Sequence, residues 1–306
     1  MHSRYNIHIL NHNYNPKPLL REITDQIHKN QAEIRVVVWD DGSDAVCQHQ
    51  LVVLQKEFAR SPVTWVTGVE NVGRARMRQN ILDFDQEGWI VCLDSDMVPD
   101  EDFVEQMVAL LVDPAQVYLG QHYYQVEIPF EPFRLHWYYG KKREVRGNEN
   151  LRRHFSTGIF ALHSSLTPRL SFDQHLTGYG HEDTLFGLQL ENLAIPVKRI
   201  PLKAQHDGLD PFGKFLEKQY EAVHNLQYLQ KAFPGYRNGL IKWGRRFRSI
   251  PGLSTWIGRE AFRAFCIQKL ERNPERLFYL DLWKLSIYLS EERSGEGRTQ
   301  GLEKRG

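Results

Sequence analysis

"EIRVVVWDDGSD", residues 33–44, is the stretch from which the fold can be read. Val36, Val37, Val38 and Trp39 form an unbroken apolar run rather than an alternation. Such a run suits a strand covered on both faces, as in a parallel sheet. Asp40, Asp41, Gly42 and Ser43 then make a turn, and "AVCQHQLVVLQKEFA" (45–59) reads as a helix. Upstream, "YNIHIL" (5–10) is a short strand, and "LLREITDQIHKN" puts Leu19, Leu20, Ile23 and Ile27 on one helical face. Downstream, "PVTWVTG" and "GWIVCLDSD" are strands, "GRARMRQNILDF" and "DEDFVEQMVALLVD" helices. Strands alternating with helices at this spacing predict a right-handed, mostly parallel α/β sheet. Ligands of such sheets bind outside the carboxyl ends of the strands. "NHNYN" (11–15), "DDGSD" (40–44) and "DSD" (94–96) all fall at those ends.

The segment 121–155 is less regular and rich in aromatic and basic residues. "FSTGIFAL" (155–162) reads as a returning strand and "AIPVKRI" (194–200) as a further short one. From Phe215 the chain is largely helical, with breaks at Pro234-Gly235 and Pro251-Gly252. Three divisions follow: a catalytic domain over 1–210, a basic helical extension over 211–290, and a polar tail over 291–306 expected to be disordered.

Composition narrows the class. Of 306 residues 41% are hydrophobic and 25% charged, as in ordinary globular proteins, and the net charge is +1. A global field that draws the chain onto nucleic acid is not indicated, so no nucleic-acid partner is expected. No apolar stretch reaches the ~20 residues of a membrane span, and the N-terminus lacks a signal-peptide pattern. Cys47, Cys92 and Cys266 are scattered and without metal-ligand spacing. They read as reduced thiols of a cytoplasmic protein.

Several clusters carry chemistry. Asp94 and Asp96 flank Ser95 at a strand end, and two carboxylates so close repel each other unless a cation lies beside them. Oxygen ligands of this kind suit Mg²⁺ or Mn²⁺ with phosphate completing the shell; a surface turn is the plain alternative. Asp41, with Asp40 beside it, could accept a hydrogen bond from a nucleobase. "NVGRARMRQN" brings Asn71 and Gly73 followed by Arg74, Arg76 and Arg78, which cannot all share one helical face. At least one of them could reach a diphosphate. "TGYGHEDTLFG" (177–187) places Glu182 and Asp183 at the start of an amphipathic stretch, where acids can simply cap a helix. His206 follows the last predicted strand, and that loop position would suit a third metal ligand.

In this order, the Asn/Tyr loop, "DDGSD", "NVGRARMRQN", the Asp-x-Asp strand end and "GYGHEDTLFGLQL" resemble a family 2 glycosyltransferase of the GT-A fold, over about residues 4–210. The Gly-aromatic-Gly-x-Glu-Asp signature is similar to that of β-1,4-galactosyltransferases and chondroitin-type polymerases. The resemblance implies an inverting, metal-dependent transfer from a nucleotide sugar, UDP-galactose or UDP-N-acetylhexosamine, to a saccharide or lipid-linked saccharide hydroxyl. It implies Asp183 as general base and Glu182 as acceptor ligand. Asn11, Tyr14, Asp40, Asp41, Asn71, Gly73, Arg78, Asp94, Ser95 and Asp96 would hold the donor. Asp94, Asp96 and His206 would hold Mn²⁺ or Mg²⁺. Gly178, Tyr179, Gly180 and Trp137 would meet the acceptor, the glycines by letting backbone approach the sugars. The chain departs from the family in having Asn11-His12-Asn13 where Pro-Thr is usual and His181 where Gly is commoner.

Two other classes share part of this pattern. A non-catalytic nucleotide- or carbohydrate-binding partner on the same fold would not need all of Asp94, Asp96, Glu182, Asp183 and His206. A sugar-phosphate nucleotidyltransferase would want a Gly-rich phosphate loop after the first strand, where this chain has "NHNYNPKP".

Between Glu221 and Glu260 there is no acidic residue, while Lys231, Arg237, Lys242, Arg245, Arg246, Arg248 and Arg259 are interleaved with aromatics. Bases mixed with aromatics suit an anionic membrane surface, which would place the protein on the inner face of the cytoplasmic membrane. A solvated helical face packed on the catalytic domain is the alternative.

Overall fold

The computed structural model describes residues 4–145, 155–176, 178–250 and 252–303, with side chains as far as Ser290. In chain order the elements are β1 (Arg4–Asn11), α1 (Lys17–His28), β2 (Glu33–Asp40), α2 (Ala45–Glu57), β3 (Val63–Thr67), α3 (Arg74–Phe84), β4 (Trp89–Asp94), β5 (Met97–Pro99) and α4 (Phe103–Leu110). β6 (Val117–Tyr123), α5 (Arg134–Tyr139), β7 (Ile159–His163), α6 (Glu182–Asn192) and β8 (Val197–His206) follow. The helices α7 (Phe212–Ala232), α8 (Gly239–Arg248), α9 (Leu253–Ile257), α10 (Glu260–Arg272) and α11 (Phe278–Glu303) end the chain. The backbone of α11 thus runs into the tail for which disorder is expected; the side chains of 291–306 lie outside the described residues.

The chain groups into two compact units. One comprises 1–127, 140–177 and 182–209; the other comprises 128–139, 178–181 and 210–306.

The first unit holds the sheet, in the order β3-β2-β1-β4-β7-β6-β8-β5. β1 to β4 are mutually parallel, β7 runs against both of its neighbours, and β8 is parallel to β6. The chain winds from β1 outward through β2 and β3, then returns to place β4 on the other side of β1. A crevice opens at such a reversal. Ser95 and Asp96 alone separate β4 from β5, which lies at the far end of the strand order. So short a link forces the sheet to curl, bringing the β5/β8 edge beside the end of β4.

Burial explains the apolar run of β2. Ile34, Val36 and Val38 enter one core with α1, α2 and α4, while Val37 and Trp39 enter the other with α3 and α6. β4 does the same, with Trp89, Val91 and Leu93 on one face and Ile90 and Cys92 on the other. Ile7, Ile9, Val36 and Val91 are completely removed from water. Each contributes about 1.5–3 kcal/mol relative to exposure. Cys47, Cys92 and Cys266 are buried free thiols.

Two expectations about the elements are corrected, and one strand is added. β6 falls partly inside the segment expected to be irregular, and β5 occupies 97–99, between the predicted strand and helix. The last strand extends to His206, ten residues in place of the short strand over 194–200, because its final three residues pair with β5.

The second unit is helical. His136 of α5 stacks on Phe215 of α7 with ring centroids 4.8 Å apart, and Tyr288 of α11 donates to Gln230 of α7 at 2.8 Å. Ile257, Leu285 and Leu289 form a small core with Leu240, Phe247, Leu253 and Phe262 against it. Among the described residues no helix is long and apolar enough to cross a membrane.

Candidate active site

Sheet register assembles the site. Asn11 pairs with Asp40 across β1 and β2, and Leu10 with Asp94 across β1 and β4, so the polar clusters share one carboxyl edge. Ser95 is buried there, its N–H donated to Leu10.

A charge network crosses this edge. Arg74 and Arg78 are four residues apart on α3 and therefore on one face, while Arg76 is exposed. Arg78, only 1% exposed, donates from Nη2 to Asp94 Oδ1 at 2.9 Å and from Nη1 to Glu182 Oε1 at 3.0 Å. Arg74 donates from Nη2 to Asp94 Oδ2 at 2.9 Å and lies 4.0 Å from Glu182 Oε1. Burial opposes ionisation of Asp94, but Arg74 and Arg78 outweigh it and hold its carboxyl below the usual range. Each arginine thus bridges the end of β4 to the start of α6. Arg74, about one-third exposed, is the one with guanidinium surface to offer a ligand. Arg78, expected at a diphosphate, is instead turned inward onto two carboxylates.

Asp183 has a different setting from the glutamate before it. It accepts hydrogen bonds from Thr184 N–H at 2.6 Å and Thr184 Oγ1 at 3.3 Å. Desolvation, then the neighbouring Glu182 charge, push its carboxyl up to about 7. One carboxylate is locked by a buried arginine and the next is poised near neutrality. The two adjacent carboxyls therefore have different partners, Arg78 for Glu182 and Thr184 for Asp183.

Asp96 stands in the two-residue link between β4 and β5. Its Oδ2 is 3.5 Å from His206 Nε2, and its Oδ1 is buried with no hydrogen-bond partner among the described residues. His206 ends β8 opposite Met97 rather than standing in a loop, and its ring lies 4.9 Å from that of Tyr124. The chain passes Asp96 closely: a Cβ on Gly208 would come within 2.4 Å of Asp96 Oδ2. Tyr14 reaches the same place, because burial and then the Asp207 and Asp96 charges raise its phenol. Among the described residues no three His, Cys, Asp or Glu side chains are arranged to hold a metal. Asp96 and His206 nevertheless offer the oxygen and nitrogen donors that Mn²⁺ accepts, and two protein ligands suffice where phosphate completes the shell. Both oxygens of Asp94, expected at the same cation, accept from arginines.

The nucleoside-side residues make a tight loop network. Asp40 accepts from Asn11 Nδ2 at 3.1 Å and Ser43 N–H at 3.2 Å, and Ser43 Oγ also donates to it. Asp41 is buried and accepts from Val72 N–H at 2.7 Å and Gly73 N–H at 3.0 Å, which caps α3. Both its oxygens are engaged by protein, though each carboxylate oxygen can accept twice. Asn71 is exposed and 3.0 Å from the His12 ring, and His12 Nδ1 bonds the Asp41 carbonyl at 2.7 Å.

Gly178, Tyr179 and Gly180 belong to the second unit. Gly178 and Gly180 have φ of 71° and 98°. A Cβ on Gly178 would meet the Glu221 carboxylate at 2.7 Å, and one on Gly180 the Ala222 side chain at 2.8 Å. The space beside these glycines, expected for sugar, is occupied by α7. Glu221 accepts from Tyr179 N–H at 2.7 Å, and Asn225 donates to the carbonyls of Tyr179 and Gly180 at 3.1 and 3.0 Å. His181 also has positive φ, 72°, which explains why glycine is the easier residue at its position. Trp137, expected at an acceptor, is buried and packs edge-on against Tyr138.

Residues 7–167, more than half of the chain, match the model of Glycosyl transferase family 2. The chain belongs to that family.

This glycosyltransferase has the GT-A fold. It is similar to the mannosyltransferase PcManGT from Pyrobaculum calidifontis in complex with GDP-Man and Mn²⁺, with a TM-score of 0.60 and 15% identity over 94% of this chain and 86% of that one. It is also similar to GalNAc-T7 with UDP, GalNAc and Mn²⁺, with a TM-score of 0.50 and 13% identity over 69% of this chain and 44% of that one. No curated protein matches it in sequence.

Arg74 is one of the three arginines from which a diphosphate contact was expected. Other neighbours of the site in this glycosyltransferase were not singled out by the sequence. Asp207 and Gly208 stand directly after His206 in "KAQHDG". His122 lies near the end of the unassigned β6 and Tyr124 just past it, and no local pattern singles them out.

Proposed function

We propose that this glycosyltransferase moves a hexosyl group from a nucleotide-sugar donor to a saccharide hydroxyl in one inverting displacement, with Asp183 as the base. The observation that carries this reading is the divergence of Glu182 and Asp183. A sugar hydroxyl is a weak nucleophile at neutral pH, so a positioned carboxylate must take its proton as the new bond forms. Asp183, held near neutrality at the carboxyl edge, suits that task. Glu182, on Arg78, fixes the start of α6 and so the position of its neighbour. On the leaving side, Arg74 presents a guanidinium to the departing diphosphate, and Asp94 orients it. Asp96 and His206 would hold a divalent cation, Mn²⁺ or Mg²⁺, whose charge neutralises the leaving diphosphate when bound. One base and one held leaving group favour a single displacement. A uridine diphosphate donor carrying galactose or N-acetylhexosamine rests on the resemblance of "GYGHEDTLFGLQL", as does a saccharide or lipid-linked saccharide acceptor.

A panel of nucleotide sugars, followed by nucleotide release with Mn²⁺ and a saccharide acceptor, tests the reading. Acceptor-dependent release from one donor, with a product of opposite anomeric configuration by NMR, is expected. Retention of configuration would refute the single displacement. Asp96→Ala is expected to remove the Mn²⁺ dependence of nucleotide binding in calorimetric titration. Unchanged metal dependence in that variant would exclude Asp96 as a ligand.

A further inference from the structure

We propose that α8 and the turn after it form a docking face for an anionic lipid surface. The inner side of α8 is fixed in the second unit. Ile241 and Gly244 are buried, and a Cβ on Gly244 would come within 2.4 Å of the Tyr288 ring of α11. Leu240, Phe247 and Leu253 lean on the core of Ile257, Leu285 and Leu289. At 100° per residue the opposite side then carries Lys242 and Arg246, with Trp243 on its flank, all exposed. Ile250, just past the helix, is exposed as well.

Two features separate this face from a merely solvated one. The first is charge: no acid occurs between Glu221 and Glu260, while Lys242, Arg245 and Arg246 of α8 are all exposed. The second is the large apolar surface kept in water beside them. Trp243 is 50% exposed and Ile250 44%. The Arg246 guanidinium lies 5.7 Å over the Trp243 ring, so cation and indole project together. Indoles seat at the headgroup level, and Lys and Arg beside them meet phosphate; nucleic acid would use the cations but gives no apolar layer for Ile250. The complementary partner is a bilayer with anionic headgroups. Attachment there would hold the enzyme at a surface, where a lipid-linked acceptor is presented. That last step rests on the proposed transfer; the docking face does not.

The test is co-sedimentation of the full chain with vesicles of phosphatidylcholine alone and of phosphatidylcholine mixed with phosphatidylglycerol. Binding to the mixed vesicles only, weakening as salt is raised, is expected. Each basic residue near such a surface strengthens binding about fivefold. Lys242→Glu with Arg246→Glu should therefore weaken it by roughly a hundredfold or more. Trp243→Ala should weaken it severalfold and remove the blue shift of tryptophan emission on binding. The circular dichroism of each variant should match the parent, since all three side chains are exposed. Equal, negligible sedimentation with both vesicles would overturn the proposal. So would tighter binding to a single-stranded oligonucleotide than to the mixed vesicles. Failure of sugar transfer would leave all of these readouts unchanged, so the two readings fail separately.

Discussion

Asp183→Asn is expected to slow sugar transfer by about a hundred- to ten-thousand-fold, the usual contribution of a general base, with nucleotide affinity within about twofold of the parent. The substitution keeps the shape and the bonds from Thr184 but cannot take a proton. The parent should show kcat/KM rising with pH through about 7, because the base form of Asp183 exists only above its pKa. A second, independent readout comes from stability. A carboxyl raised from 3.8 to about 7 by folding keeps its proton in the native state while the unfolded chain releases it. Native stability is therefore full below the unfolded pKa and falls as pH climbs towards about 7. Asp183→Asn removes that loss, so the variant should gain more in Tm, relative to the parent, at pH 8 than at pH 4. Turnover retained in the variant, or a parent rate flat from pH 5 to 8, would sink the assignment of the base. Comparable Tm differences at both pH values would show that the carboxyl is not raised.

How much of this arrangement could be read beforehand depended on the range of the interactions. The apolar run of β2 announced a strand covered on both faces, and the polar clusters at the ends of β1, β2 and β4 announced a shared ligand-binding edge. Those signals are local. β5 is three residues long, and its strand character comes from β8, more than a hundred positions away in sequence; three residues hold no periodicity. β6 begins apolar in "VYL" and turns polar beyond Gly120, where its register with β8 shifts. The antiparallel direction of β7 has no signature in an apolar run. Helical spacing showed that Arg74, Arg76 and Arg78 cannot all share one face, but which carboxylates they would meet could not be read, since Glu182 lies 104 positions from Arg78. Likewise, "GYGH" signalled positive φ and close approach, while the approaching group, α7, is remote in sequence. The residue types were legible; their partners were not.

Arg78→Met is expected to destabilise the protein by about 3–5 kcal/mol, the cost of removing one partner from a buried ion pair. Methionine fills most of the same space, so packing is a minor part of that loss. What remains is electrostatic. Asp94 keeps Arg74 at 2.9 Å, but Glu182 is left with Arg74 at 4.0 Å as its nearest cation. That is a large fraction of the 5–15 kcal/mol that holds a typical domain together. Arg78→Lys should fall between, since a single ammonium keeps the charge but cannot fork to both carboxylates. Adding Glu182→Gln to Arg78→Met should recover part of the loss by removing the stranded charge. Arg74→Met should cost about 1 kcal/mol or less, because that side chain is partly solvated and both carboxylates retain Arg78. Urea unfolding of the four variants measures these differences, and a loss below about 1 kcal/mol in Arg78→Met would show the network to be solvated. The same variant carries a kinetic signature. The Arg78 charge lowers the Asp183 pKa against the desolvation that raises it. Its removal should therefore move the rise of kcat/KM to higher pH, a shift that lost packing alone would not produce.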